Sequence, residues 1–378
     1  FNIYCNCNTN VPGGDFTLAS ITNGNARGNN RAITEESTGG YLQLDFNTDF
    51  LDRALRGNLG VRYATTDIEA QGYASTGGGT LVVANNDYDD WLPSLNLAWD
   101  VSEDVVLRFG AAKVMARPQL AALSPGGGIT TSGNPSITVG NPYLDPFRAT
   151  TYDLSAEWYF ADESLLSVAL FYKDIDTYIQ ELRQSMSYRD TGLPLELVPE
   201  AFWDVSFDVR TQVNTPGGPL KGFEISYQQP FTFLPGFWKD FGVVANYTQV
   251  ESQIDYAVSG SVPTRYVTND LINLSPQSYN ATLYYDNNKF SARISTSFRD
   301  DYLQRVPGQN NNDVEGKRSS QSVDFAASYK YDDNLTLTFE GINLTDEYND
   351  QFVDSVGDRA SVYHHTGRQY FVGFRFNF

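Results

Sequence analysis

Much of this chain alternates apolar and polar residues with a period of two. The last such segment, residues 367–378, reads GRQYFVGFRFNF, and Tyr370, Val372 and Phe374 share one of its faces. Side chains of a β-strand point to opposite faces in turn, so the segment predicts a strand with one apolar and one mostly polar face. Such a strand suits a soluble β-sandwich, or a transmembrane β-barrel whose outer face contacts lipid and whose lumen is polar.

The same alternation recurs in pairs of segments joined by short turns. The predicted strands are 41–50 with 55–70, 91–100 with 105–115, 149–159 with 164–182, 222–229 with 241–250, 279–285 with 290–299, 323–331 with 334–344, and the final segment. The count is about 13 strands, several with ten or more residues, whereas a soluble strand has about 5–6 and a membrane strand about 9–11. The lengths therefore favour a membrane barrel.

The connections between these strands alternate strictly between short and long. The long ones, rich in Gly, Asn, Asp, Ser and Pro, are 71–89, 116–147, 183–218, 257–275, 301–318 and 349–365. Short turns on one side and long loops on the other are typical of outer-membrane barrels, where the short turns are periplasmic. We therefore predict an all-β, antiparallel transmembrane β-barrel.

The direction of the last strand fixes the direction of all the others. It runs from the long-loop side to the short-turn side, so the first of about 13 antiparallel strands begins on the long-loop side. Residues 1–40 are accordingly predicted to belong to an extracellular loop, and residues 41–378 to the C-terminal part of the barrel. Because single-chain bacterial barrels have an even number of strands, an odd count indicates that an N-terminal part is missing, or that one strand is miscounted.

Composition and charge exclude several classes of function. The chain has 378 residues, with 46 acidic and 26 basic side chains and a net charge of −20, which argues against nucleic acid as a partner. It contains no apolar run of about 18 residues, so no transmembrane helix is predicted. Aromatic residues make up 14% and suit both strands and the aromatic girdles of a barrel.

The chain offers little sign of catalysis or metal binding. Nucleophile elbows, zinc-protease motifs and phosphate-binding loops are absent from the sequence, so no enzyme is predicted. Cys5 and Cys7 are too close in sequence for an unstrained mutual disulfide, and they lack further Cys or His for a metal site. No metal site or cofactor is predicted, although the acidic or Asn-rich segments 85–90 and 310–313 contain oxygens suited to Ca²⁺.

Several segments resemble the barrel of TonB-dependent outer-membrane receptors. They are LPSLNLAWDVSEDVVLRFGAAKVMARPQLAALSPG at 92–126, GNPYLDPFRATTYDLSAEWYF at 140–160, GINLTDEY at 341–348 and the final GRQYFVGFRFNF. The first is most similar to the branch best known from Caulobacter and Xanthomonas. The resemblance implies a 22-stranded barrel closed by an N-terminal plug, of which this chain would hold roughly strands 10 to 22, without the plug and the TonB box.

The resemblance also implies a function and partners. The expected function is active uptake of a scarce solute, an oligosaccharide or a siderophore, across the outer membrane of a Gram-negative cell. Outer-membrane lipid and lipopolysaccharide would surround the barrel, and the TonB–ExbB–ExbD complex would act through the missing N-terminal part. The alternative function is that of a passive, porin-like channel.

Candidate site residues fall into two sets. Aromatic residues in the long loops combine a rigid ring with a polar group and are the candidate ligand contacts: Tyr143, Tyr188, Trp203, Tyr266, Tyr302 and Tyr363. Arginines on the polar face of their strands are expected to face the lumen and the plug, because a charge facing lipid costs about 2–4 kcal/mol: Arg108, Arg293, Arg299 and Arg375. For each set, packing within the protein is the alternative.

Overall fold

The computed structural model describes residues 30–73, 81–191, 195, 198–259, 265–308 and 312–378. In chain order its strands are β1 (Arg31–Phe50), β2 (Arg53–Tyr73), β3 (Leu81–Asp100), β4 (Val105–Ala116), β5 (Gly127–Thr130), β6 (Ser136–Val139), β7 (Phe147–Ala161), β8 (Ser164–Ser187), β9 (Ser206–Pro230), β10 (Phe241–Ser252), β11 (Ile254–Ser259), β12 (Arg265–Asn269), β13 (Gln277–Asp286), β14 (Phe290–Arg299), β15 (Tyr302–Arg305), β16 (Glu315–Lys317), β17 (Ser320–Lys330), β18 (Leu335–Ile342), β19 (Gln351–Val353), β20 (Arg359–Val362) and β21 (Gln369–Phe376). Short 3₁₀ helices span Leu120–Leu123, Tyr188–Thr191, Glu200–Phe202 and Gly236–Asp240. Among the described residues, no helix is both long and apolar enough to cross a membrane.

Thirteen strands form one continuous antiparallel path, which confirms the predicted fold class and strand count. The path runs β1-β2-β3-β4-β7-β8-β9-β10-β13-β14-β17-β18-β21, and within the described residues β1 and β21 have one partner each. The hairpin β5–β6 attaches to β9 through a parallel pairing, while β11–β12 and β15-β16-β19-β20 form two small separate sheets. The first strand begins at the long-loop end, as the strand directions predicted, because Arg31 pairs with Gly72 there.

The predicted short turns are also found. Leu51 and Asp52 connect β1 to β2 with φ values of 53° and 58°, the left-handed backbone that a two-residue type I′ hairpin requires. At the next hairpin, residues 101–104 join β3 to β4, as predicted.

Most of the apolar residues of the thirteen wall strands lie on one face of the sheet. The register places Leu44 opposite Leu59, and Leu59 opposite Leu95. At the far end of the path, Leu337 lies opposite Phe374. Leu95 is half-buried and the other four side chains are exposed although apolar, and such a large continuous apolar surface is rare on a soluble protein.

Aromatic pairs border this apolar face above and below. Near the short turns, Phe50 contacts Trp99 and Phe241 contacts Tyr285, with ring centres 5.4 and 4.9 Å apart. Towards the long loops, Tyr63 contacts Trp91 and Tyr279 contacts Phe298, at 4.9 and 5.0 Å. From Trp91 to Trp99 on β3 is about 27 Å along the strand, or about 20 Å in height at a tilt near 40°, close to the apolar band of an outer-membrane barrel.

The strands continue further beyond the upper aromatic row than the sequence predicted. Residues 31–40 belong to β1 and residues 81–90 to β3, although both were assigned to loops, and β9 begins at Ser206 instead of 222. Their polar composition misled the prediction, because both faces of a strand can be polar once the sheet projects into water. Pro216 and Pro219 are tolerated because β9 pairs with β10 only from Leu220 onwards, which leaves one edge free of that ladder.

The protein interior lies at the long-loop end, since the wall itself exposes its apolar face. Three clusters of buried side chains form there. We call them the strap cluster (Ile68, Ala70, Tyr88, Ala122, Leu123, Leu144), the distal cluster (Ile137, Tyr188, Val198, Phe207, Val209) and the loop cluster (Tyr178, Ile254, Tyr256, Val306, Val314, Phe352).

Candidate functional site

The four predicted lumenal arginines all lie on the polar face of the wall. Arg108 on β4 makes a two-pronged ion pair with Glu157 on β7, with nitrogen–oxygen distances of 2.8 and 3.0 Å. Arg293 and Arg375 make no hydrogen bond or ion pair with any described residue, so their guanidinium groups are available for other partners. Contact with a plug stays a prediction.

Arg299 is the fourth of these residues, and its position is fixed. Its Nε donates a hydrogen bond to the hydroxyl of Ser275 at 2.7 Å, and a terminal nitrogen donates to the carbonyl of Asn273 at 2.8 Å. The guanidinium also lies 3.8 Å from the centre of the Tyr302 ring, a cation–π contact. Three contacts therefore hold one cation at the level of the upper aromatic row.

A cavity of about 420 Å³ opens beside Arg299, and we call it the mouth pocket. Short hydroxyl and amide side chains from β10, β13, β14 and β17 line it: Thr248, Ser278, Asn280, Ser297, Ser320 and Ser322. Arg299 and Glu347 are the charged residues among its described lining. The mouth pocket can thus donate and accept several hydrogen bonds and offers one fixed cation, which suits a hydroxylated ligand.

Three of the predicted ligand aromatics are exposed. Tyr143, Tyr266 and Tyr363 have exposed fractions of 63, 48 and 71%. The ring of Tyr363 packs against that of Tyr348 at 5.0 Å, in the connection between β18 and β21. Tyr302 is half-buried beneath Arg299. These aromatics lie on separate loops, and their contact with a ligand stays a prediction.

Tyr188 and Trp203 occupy the distal cluster instead. Tyr188 has no exposed surface and packs edge-on against Phe207 at 5.4 Å. The indole N–H of Trp203 donates to the carbonyl of Leu195 at 3.0 Å. The predicted ligand contact at Tyr188 is therefore corrected to a packing role, because no solute reaches a fully enclosed ring.

The sequence reasoning missed two polar residues that organise the loops. The Gln180 amide donates to Thr215 Oγ1 at 2.7 Å and accepts from the backbone of Ala257 at 3.1 Å. The Tyr256 hydroxyl accepts from the N–H of Ile272 and donates to the carbonyl of Asp270, both at 3.0 Å. Burial raises the pKa of Tyr256. Nothing in their sequence context marks these side chains as buried, since their partners come from distant loops.

The segments suggested for Ca²⁺ are used differently. Residues 85–90 lie within β3, where alternate side chains point to opposite faces and cannot surround one cation. In the second segment, residues 310 and 311 lie outside the described residues. The carboxylate of Asp313 accepts the N–H groups of Val314 and Ser355, each at 2.9 Å. Partial burial would raise the pKa of Asp313, but these bonds and the one from the Ser355 hydroxyl outweigh it and lower that pKa.

His364 and His365 lie in the connection between β18 and β21, and His365 faces a carboxylate. His365 Nε2 lies 2.8 Å from Asp346 Oδ1, and its ring stacks on Tyr348 at 4.3 Å. Across the part of the chain that is described, no group of three or more His, Cys, Asp or Glu side chains is placed to hold a metal ion. Cys5 and Cys7 lie outside the described residues.

Comparison with known proteins adds to this geometry. Residues 6–344 match the family model described as TonB dependent receptor-like, beta-barrel. The siderophore receptor PiuA from Acinetobacter baumannii superposes with a TM-score of 0.60 at 18% identity, over 92% of this chain and 44% of that one. The Ferric-Catecholate import receptor Fiu from Escherichia coli K12 gives 0.59 at 15% identity, over 92 and 45%.

A third solved structure agrees with these two. The ferric enterobactin receptor PfeA from Pseudomonas aeruginosa gives a TM-score of 0.55 at 14% identity, over 92% of this chain and 54% of that one. At such low identity the likeness establishes a common fold. The chain spans about half the length of the structures it matches.

Proposed function

The chain belongs to the family of TonB-dependent receptor-like β-barrels, and on that premise we propose that it forms about half of the wall of an outer-membrane uptake receptor. The observation that carries this proposal is the two-faced sheet. One face is a continuous apolar surface bordered by two rows of aromatic rings, and the other carries the arginines, carboxylates, amides and hydroxyls. The first face suits lipid and the second a water-filled lumen.

Closure of the barrel requires strands beyond the thirteen described. The outer edges of β1 and β21 have no neighbour among the described residues. Unpaired backbone groups cost several kcal/mol each in hydrocarbon, so both edges need further strands. We assign these strands, the plug and the contact with TonB–ExbB–ExbD to the rest of the receptor.

The solute is proposed to enter from the long-loop side and to meet the mouth pocket. Its hydroxyls and amides suit the hydroxyl groups of an oligosaccharide, and its fixed guanidinium suits an anionic group such as those of siderophores. The neighbours are named as siderophore receptors, which supports the second class. The proposed solute is therefore a siderophore or an oligosaccharide.

Uptake by cells tests the proposal. The whole receptor that carries this chain is deleted and restored, and the cells are given a radioactive ferric catecholate or a radiolabelled malto-oligosaccharide. We expect receptor-dependent accumulation of at least one probe that stops when a protonophore collapses the proton-motive force. Uptake that continues unchanged after the protonophore would instead establish the passive, porin-like channel.

A further inference from the structure

Residues 117–146, which connect β4 to β7, fold back onto the polar face of the wall, and we call them the strap. On the upper half of β3, Ala84, Tyr88 and Asp90 are buried, whereas Val83 and Trp91 on the other face are exposed. The register places Asp90 opposite Ala64, and Ala64 shares its face with the polar-face residues of β2. The strap therefore lies inside the mouth, above the lumen.

Apolar contacts press the strap against β2 and β3. Leu123 and Leu144 are fully buried in the strap cluster, against Ile68 and Ala70. The backbones also touch, since a Cβ on Gly72 would lie only 2.5 Å from the nitrogen of Gly126. This is the close approach for which a glycine pair is needed.

Two arginines fasten the ends of the strap to the wall. Arg117 pairs with Glu35 on β1 at 3.2 Å and donates to the hydroxyl of Ser37 at 2.8 Å. On β7, Arg148 pairs both with Asp90 on β3 at 2.6 Å and with Asp145 near the end of the strap at 3.1 Å. Both contacts join the strap to the β1–β3 side of the mouth through charged side chains.

The attachment on the opposite side is made by the backbone. Strand β6 pairs with β9 in parallel, with Ser136 opposite Asp208. Asn214 donates to the carbonyl of Asp145 and accepts from the N–H of Asp145, both at 2.9 Å. Main-chain pairing of this kind holds more firmly than a partly exposed ion pair such as that of Arg117 with Glu35.

The wall beneath the strap contains a buried carboxylate. Oδ2 of Asp90 is buried and has no hydrogen-bond partner among the described residues. An unpaired buried polar atom costs free energy that water recovers once the atom is exposed. Lifting the strap thus loses apolar contacts, and the hydration of Asp90 Oδ2 offsets part of that loss.

We propose that the strap is a gate that lifts from β1–β3 while it stays attached to β9. Its closed position is held by Arg117 and Arg148, and its open position widens the path from the loops to the lumen. The consequence for solute entry rests on the proposed function, whereas the movement itself does not.

Cysteine labelling in the whole receptor on intact cells tests the movement without any solute. In a background with Cys5 and Cys7 replaced by serine, Ala70→Cys reports on the wall beneath the strap, and Val209→Cys on the β9 attachment. Both sites are buried in the closed form. Glu69→Cys, at an exposed position beside Ala70, gives the labelling rate of a cysteine that the strap does not cover. The probe is a membrane-impermeant maleimide.

Arg117→Gln is expected to speed labelling of Ala70→Cys at least about threefold, the effect of losing one partly exposed ion pair, and to leave Val209→Cys unchanged. Arg56→Gln is the matched control, because Arg56 also forms a polar-face ion pair, with Asp100, but away from the strap. Equal labelling of Ala70→Cys in both variants, no labelling of it before denaturation, or joint acceleration at Val209→Cys would each overturn the gate. If Ala70→Cys fails to reach the membrane, Thr66→Cys, also fully buried beside Arg117, replaces it.

Discussion

The guanidinium of Arg299 lies over the face of the Tyr302 ring, 3.8 Å from its centre. Both residues were candidates from the sequence, one for the lumen and one for the ligand, and the structure makes them one unit. The stacked ring and the bonds to Ser275 and Asn273 orient the planar cation towards the mouth pocket.

Replacing Arg299 by lysine keeps the charge but loses the stacking geometry and one of the two directed bonds, because an ammonium is not planar. We expect affinity for the transported solute to fall roughly tenfold. Titration of the purified whole receptor measures this. Arg293→Lys is the control, since Arg293 lies on the same face of the same strand without a described partner, and a similar loss there would refute a special role for Arg299.

The apolar face gives a prediction about insertion into a bilayer. Leu170→Arg places a charge on the apolar face and is expected to destabilise the folded receptor by about 2–4 kcal/mol near the membrane centre. Ala169→Arg, one residue earlier, points to the polar face opposite Glu224 and is expected to be tolerated. Urea titration of folding in lipid vesicles compares the two, and equal losses would contradict the assignment of faces.

Replacing Tyr188 and replacing Tyr363 should change stability by different amounts, because Tyr188 is buried and Tyr363 is exposed. Tyr188→Ala empties a fully buried site and should cost about 3–5 kcal/mol of local stability, as large-to-small core changes do. Tyr363→Ala removes an exposed ring and should change stability by less than about 0.5 kcal/mol. Hydrogen exchange of the β9 amides 206–210 detects the first effect. If exchange became faster in Tyr363→Ala and stayed unchanged in Tyr188→Ala, the assignment of Tyr188 to packing would be wrong.

The lowered pKa of Asp313 predicts that its contact with Ser355, which joins two long loops, weakens in acid. Its pKa is lowered in the folded protein, so its contribution to stability is complete above the ordinary Asp value of 3.8 and is lost as the pH falls through the folded-state pKa. The protection of the Ser355 amide, its exchange rate relative to that of an unstructured peptide at the same pH, should therefore be lost on acidification below that value.

Asp313→Asn should remove this pH dependence, whereas Asp333→Asn, in the short turn between β17 and β18, should preserve it. Retention of the dependence in the Asp313→Asn variant would assign it to a general acid effect and not to Asp313.

The alternation of residues by itself determined the membrane-facing part of this protein. A strand between lipid and a polar lumen must alternate, and its short turns must be tight, so segments such as 334–344 and the final strand were recognisable without tertiary contacts.

Only the tertiary structure decided what lies above the upper aromatic row. There both faces of a strand meet water or other loops, so polarity no longer distinguishes the extensions of β1, β3 and β9 from loops. The burial of Tyr188, the fixation of Arg299 and the placement of the strap depend on partners distant in sequence. Alternation is a local consequence of the bilayer, whereas the mouth is built from long-range contacts that no local pattern encodes.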